Sequence, residues 1–226
     1  MALPQSHILY TVEEYLEMDR QSEERHVYLD GYVWAMAGES IEHGEIVVNL
    51  IELVAAQLRD TPCRARVTNT RVRSGPAASS KRRKKGLYSY PDALIVCGEM
   101  RFHDEHRDVL TNPTVVFEVL SSSTERFDRG EKFMRYQDWN PTLIDYLLIS
   151  QTSPVIERYS RKPDGSWSYY VYRGLESSFT IESVNCALKL TDIYYRVVFQ
   201  PEDLSLSSLI PGPGNLEELP CRVATP

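Results

Sequence analysis

Thr114-Val115-Val116-Phe117-Glu118-Val119-Leu120 decides the reading of this chain. A nearly continuous apolar run of this length reads as a strand covered on both faces. A carboxylate inside it is expensive: Glu118 must neutralise, find a partner or bind a cation. Asp92 poses the same problem at the start of Pro91-Asp92-Ala93-Leu94-Ile95-Val96, a second strand in which proline is tolerated at the first residue. Antiparallel pairing would set the start of one strand beside the end of the other, about 4.8 Å away, so that both side chains reach one ion. For either acid alone, a structural pairing with an arginine or a loop cap is the commoner arrangement. The two together, with a lysine following, point to a shared cation. Carboxylate oxygens suit Mg²⁺ or Mn²⁺ rather than zinc.

That lysine is Lys132, in Asp128-Arg129-Gly130-Glu131-Lys132-Phe133 directly after the Glu118 strand. Asp128 reads as the N-cap of a helix running to about Trp139, with Glu131 three residues on. A helix packed on the strand would aim the Lys132 ammonium at the acid pair, with Tyr136 one turn further along.

Outward from this centre, Thr11 and Glu14 form a capping box that starts a short helix near Val12. Val27 to Met36 reads as a hairpin turned by Asp30-Gly31. Ser40 caps a long helix whose stripe of Ile46, Val47, Leu50, Ile51, Val54 and Leu58 predicts contact with a sheet. Arg66 to Arg73 alternates as one strand, Ser74 to Ser89 reads as a basic Gly/Pro/Ser-rich loop, and Gly98 to Pro113 as a connection. Leu143 to Ile149 is a buried strand. Val155–Tyr159 and Trp167–Tyr172 form a hairpin, Phe179 to Leu190 alternates weakly, and Asp192 to Val198 reads as a last short helix. From Pro201 onward little periodicity remains, which suggests a poorly ordered tail after one mixed α/β (α+β) domain spanning residues 1–200.

The 226 residues suffice for one real core, with 42% hydrophobic residues. No apolar run approaches the ~20 residues of a membrane span, and the first residues lack a leader pattern, which gives a cytoplasmic placement by default. The four cysteines are scattered without a CxxC pair, which predicts reduced thiols rather than a zinc site. A net charge of −7 argues against a non-specific nucleic-acid coater, though not against a nuclease that concentrates its cations in one cleft. Lys81-Arg82-Arg83-Lys84-Lys85 is either a solvated loop or a phosphate contact.

Tyr90-Pro91-Asp92, Phe117-Glu118-Val119-Leu120-Ser121 and Asp128 to Phe133, together with Leu29-Asp30-Gly31, Met36-Ala37-Gly38 and His43, make an ordered set. The chain resembles the Uma family of restriction-endonuclease-like proteins over roughly residues 8 to 199. That family is a bacterial branch of the PD-(D/E)XK nuclease superfamily, formerly a domain of unknown function. The resemblance implies a restriction-endonuclease-like core, a mixed sheet flanked by helices, with Asp92 and Glu118 as metal ligands. The superfamily's lysine normally lies two residues after the glutamate, where this chain has Leu120; the resemblance is to members whose lysine sits on the following helix, hence Lys132. One departure is Val27, where the family usually has an acid.

These readings predict Mg²⁺-dependent hydrolysis of DNA phosphodiesters by Asp92, Glu118 and Lys132, with the carbonyl of Val119 as a further metal ligand. His43, Arg71, Arg73 and Tyr136 are candidate substrate contacts, although packing is the simpler role for His43 and Tyr136. The partners expected are nucleic acid and a second copy of the chain, and no membrane. One rival is a catalytically silent binding or regulatory module on the same fold, which Val27 favours. The other is a two-carboxylate glycoside hydrolase, which leaves Lys132 without a role.

Overall fold

The computed structural model describes residues 9–36, 38–67, 69–76 and 85–199. The expected tail from 201 and most of the 81–85 basic run lie outside the described residues. The order of elements is α1 (Val12–Gln21), β1 (His26–Leu29), β2 (Tyr32–Ala35), α2 (Ile41–Leu58), β3 (Cys63–Val67), β4 (Arg71–Ser74), β5 (Leu87–Ser89), β6 (Ala93–Cys97), β7 (Val109–Leu110) and β8 (Val115–Leu120). There follow α3 (Glu125–Phe127), a π-helical turn (Asp128–Lys132), α4 (Phe133–Trp139), β9 (Asp145–Ser150), β10 (Val155–Arg161), β11 (Trp167–Arg173), β12 (Ser178–Ile181), β13 (Cys186–Lys189) and α5 (Leu190–Ile193).

Six strands in the order β11-β10-β9-β8-β6-β3 form the main sheet. Its alternation sorts side chains to two faces. Ala93, Ile95, Val115, Phe117, Val119, Leu147 and Ile149 pack under the apolar stripe of α2, with β12, β13 and α5 completing that core. Leu94, Val96, Val116, Leu120, Tyr146 and Leu148 pack on the other side with Phe133 and Tyr136 of α4. Glu118 falls between Val116 and Leu120 and so belongs to this second face. The mixed α/β architecture with helices on both faces is the one the sequence predicts.

A second sheet, β2-β1-β5-β4-β7, carries α1 against Tyr28, Tyr88 and Val109. The Asp30-Gly31 turn of its first hairpin needs left-handed backbone, and both residues have positive φ, 49° and 100°. Asp30 also receives two hydrogen bonds from Arg135 of α4, at 2.6 and 3.1 Å, and thereby ties the hairpin to the helix that follows Lys132.

Several expectations are corrected. The stretch 66–73 is two strands in different sheets, broken near Asn69. The expected loop and connection contain the short strands β5 and β7, which pair too few residues to show a period. Asp128 does not cap its helix: it has helical backbone (φ −65°, ψ −39°) and lies inside a helical run that begins at Glu125. The last helix is Leu190–Ile193. Cys63 and Cys97 are not reduced thiols but form a disulfide, because β3 and β6 register them directly opposite one another with Cα atoms 3.9 Å apart. Cys186 is free and buried.

Candidate metal and nuclease site

β6 and β8 are antiparallel, with Ala93 opposite Phe117 and Leu94 opposite Val116. One step further along the same register, Asp92 comes level with Glu118. β6 has not yet begun at Asp92, and its carboxylate takes up the ladder instead: the Val119 backbone N–H donates to Asp92 Oδ2 at 2.7 Å. The other oxygen, Oδ1, lies 3.1 Å from His43 Nε2 at the start of α2. Burial draws the His43 pKa down, but the Asp92 carboxylate, then Glu39 and Asp128, outweigh it and raise the value.

Glu118 is only 3% exposed. Its Oε2 lies 2.7 Å from Lys132 Nζ, whose other ionic partner is Asp128 Oδ1 at 3.0 Å. One buried ammonium therefore faces two buried carboxylates. Burial pushes the Glu118 pKa well up; Lys132 pulls it back, while Asp128 and Asp92 push it further up. Burial opposes the charge on Lys132, and Asp128 and Glu118 more than restore it, so the lysine is held firmly protonated. Burial dominates the shift of Glu118, whereas the two neighbouring carboxylates together dominate that of Lys132.

Glu118 Oε1 has no hydrogen-bond partner although it is buried. A vacant carboxylate oxygen of this kind is costly unless a cation or water meets it. Among the described residues no three of His, Cys, Asp and Glu converge as a complete protein cage for a metal. Mg²⁺ does not require one; it is commonly held by one or two carboxylates and fills its shell with waters and phosphate oxygens. The vacant Glu118 oxygen and the Asp92 carboxylate, whose oxygens retain lone pairs, fit that kind of ion.

The structure thus brings together Asp92, Glu118, Val119, Lys132 and His43. Tyr136 is fully buried against the second core and its hydroxyl lies 3.4 Å from Ser89 Oγ. Arg71 is elsewhere: it is buried and its guanidinium donates to Tyr90, Asp108 and Asp19. Arg73 lies 3.0 Å from His103 Nδ1. Asp128 was missed as a site residue; its signal was the i,i+4 spacing to Lys132. Val27 stands opposite Trp34, whose ring meets Phe127 edge-on, one residue before Asp128. Val27, where the resemblance implies an acid, therefore shares its sheet face with the ring that meets the helical run bearing Lys132.

A mixed sheet flanked by helices, with one carboxylate within a strand, another just before its neighbouring strand and a helix-borne lysine at one point, fits a restriction-endonuclease-like protein. The chain belongs to the Uma2 family, described as "Putative restriction endonuclease", whose match spans residues 12–191. Two uncharacterized proteins of Synechocystis sp. are similar to it. One, slr1290, is 32% identical over 83% of this chain and 92% of its own length. The other, sll1609, is 31% identical over 70% of this chain and 85% of its own length. The fold is shared with a crystal structure described as a putative nuclease from Anabaena variabilis, at a TM-score of 0.66 and 13% identity, covering 84% of this chain and 99% of that one.

Proposed function

We propose that the chain is a Mg²⁺- or Mn²⁺-dependent endonuclease acting on DNA. The observation that carries the reading is the buried, unpartnered oxygen of Glu118, set beside Asp92 and within an ion pair of Lys132. Asp92 and Glu118 hold the divalent ion, with the Val119 carbonyl as a third oxygen. A cation so bound lowers the pKa of water and offsets charge on the phosphate. Lys132, kept protonated by its two carboxylates, orients the attacking water and stabilises negative charge that develops on the phosphate. The Val119 N–H and His43 fix the rotamer of Asp92. Two-strand cleavage calls for two sites, so the working unit is a homodimer.

Nicking of supercoiled plasmid in Mg²⁺ or Mn²⁺ tests this directly. Asp92→Ala and Lys132→Ala should each lower the rate at least ~100-fold, the scale of losing one group that meets developing charge. Cleavage unaffected by both substitutions removes the assignment. The silent-module reading draws its support from Val27; it predicts no Mg²⁺ binding by calorimetry and no nicking by the parent.

A further inference from the structure

Edge strand β3 sets Arg66 opposite Leu94 and Arg64 opposite Val96. Directly opposed residues share a face, so both arginines stand on the sheet face that carries Asp92 and Glu118. They are spaced about 6.6 Å apart along the strand. Between β3 and residues 98–108 runs an open groove in two adjoining parts, of about 320 and 140 Å³, which share Met100, Phe102 and Arg107. Arg107 lies over the Phe102 ring, 5.0 Å from its centre. Arg66 Nη2 rests 3.7 Å from Met100 Sδ.

Of the acids nearest Arg107 in sequence, Glu105 is exposed and does not line the groove, whereas the two that line it are already engaged. Asp104 accepts from Arg20, and Asp108 from Arg20 and Arg71. Among the described residues no carboxylate pairs with Arg64, Arg66 or Arg107. Glu99 is the one lining acid without a described cation; it lines the larger part beside Gly98, beyond Val96 on the side away from Asp92. Three exposed guanidiniums with no acid partner form a local basic patch on a chain whose net charge is −7, a concentration of cations of the kind that attracts an anion. Each presents a flat fork that matches two phosphate oxygens, and Phe102 and Met100 lie against Arg107 and Arg66 respectively.

We propose that this groove is a track for the phosphodiester backbone of a nucleic acid, running along β3 toward Asp92. The proposal rests on the nuclease reading for what happens to the bound strand. Its test separates the two. In EDTA, fluorescence anisotropy measures binding of labelled single-stranded and duplex oligonucleotides to the full chain. The same chain carrying Arg64→Ala, Arg66→Ala and Arg107→Ala is compared, as is one with lysine at the three positions and one with Arg64→Ala alone. The triple alanine variant should bind at least 10-fold more weakly near 0.1 M salt. Its log K against log salt slope should fall by about 2 to 3 for a duplex, since each phosphate contact contributes ~0.9. Lysine at all three positions should restore the slope. If the triple variant does not fold, Arg64→Ala should still lower the slope by about 1. Unchanged binding and slope in these variants overturn the groove and leave the nuclease reading standing. Lost binding in the variants with no cleavage by the parent in Mg²⁺ upholds the groove and removes the nuclease reading. A parent that binds no oligonucleotide overturns both, and displacement of the oligonucleotide by equimolar inorganic phosphate overturns the track in favour of a small-anion site.

Discussion

Glu118 and Asp128 share one ammonium, and one Glu118 oxygen is left without a hydrogen-bond partner. The sign of the consequence follows from the raised pKa of Glu118. The folded state holds this proton more tightly than the unfolded chain does, so stability is fully present below the ordinary carboxylate value of about 4.3 and is lost as pH rises through the folded value. Glu118→Gln removes the charge and keeps an acceptor for Lys132. Without metal at pH 8 it should melt higher than the parent, by about 2–4 °C for each kcal/mol recovered, and its melting point should vary less with pH. A divalent ion held as proposed would relieve the same strain in the parent. Mg²⁺ at ~100 times its dissociation constant should add about 2.7 kcal/mol of stability to the parent and little to Glu118→Gln, as read by thermal unfolding. The cost of Glu118 was legible in the sequence because an acid in an apolar strand stands out. Asp128 was not, because an acid near a helix start reads equally well as a cap.

At the scale of elements, strands with a strong pattern were placed well and short ones were not. β8 and β9 read as buried because both of their faces are apolar; β7, two residues long, has no period to detect. The split of 66–73 between two sheets is tertiary: both halves alternate, and only pairing tells them apart. The π-helical turn was likewise invisible, since hydrogen-bond slip within a helix leaves no compositional mark. Gly130 lies in that turn, and a Cβ built there meets no heavy atom within 4 Å. Gly130→Ala should therefore stabilise the chain by ~0.5–1 kcal/mol in denaturant titration, with plasmid nicking retained. The disulfide was missed because two cysteines 34 residues apart carry no spacing signal; only the register of β3 on β6 brings them opposite. Replacing both with serine should cost about 2–4 kcal/mol through the loop that the bond closes.

Across the whole molecule, a buried ion cluster joins the two sheets' environs. Asp19 of α1 accepts from Arg71 of β4 at 2.6 Å, and from Tyr90, also at 2.6 Å, two residues before Asp92. Arg71 reads from sequence as a phosphate contact; the structure commits it to this cluster. Arg71→Ala should leave the buried Asp19 carboxylate with Tyr90 and His26 but without its guanidinium, and cost about 3 kcal/mol, measured by urea unfolding. A loss below ~1 kcal/mol would show the cluster to be dispensable. The mixed α/β class was legible because the order of strong strands and the α2 stripe suffice for it. Long-range ion pairs were not, because any of several acids could have met Arg71.

The exposed border of the main sheet has a last consequence. Among the described residues β3 has a partner strand on one side only, the usual invitation for a neighbouring strand to add on, although Cys63 N–H donates to Thr61 and the Val67 carbonyl accepts from Asn69. Arg64 and Arg66 stand along that edge, and two copies meeting there would bring guanidinium against guanidinium. Charge on this border opposes edge-to-edge pairing of copies, the step from which ribbons grow.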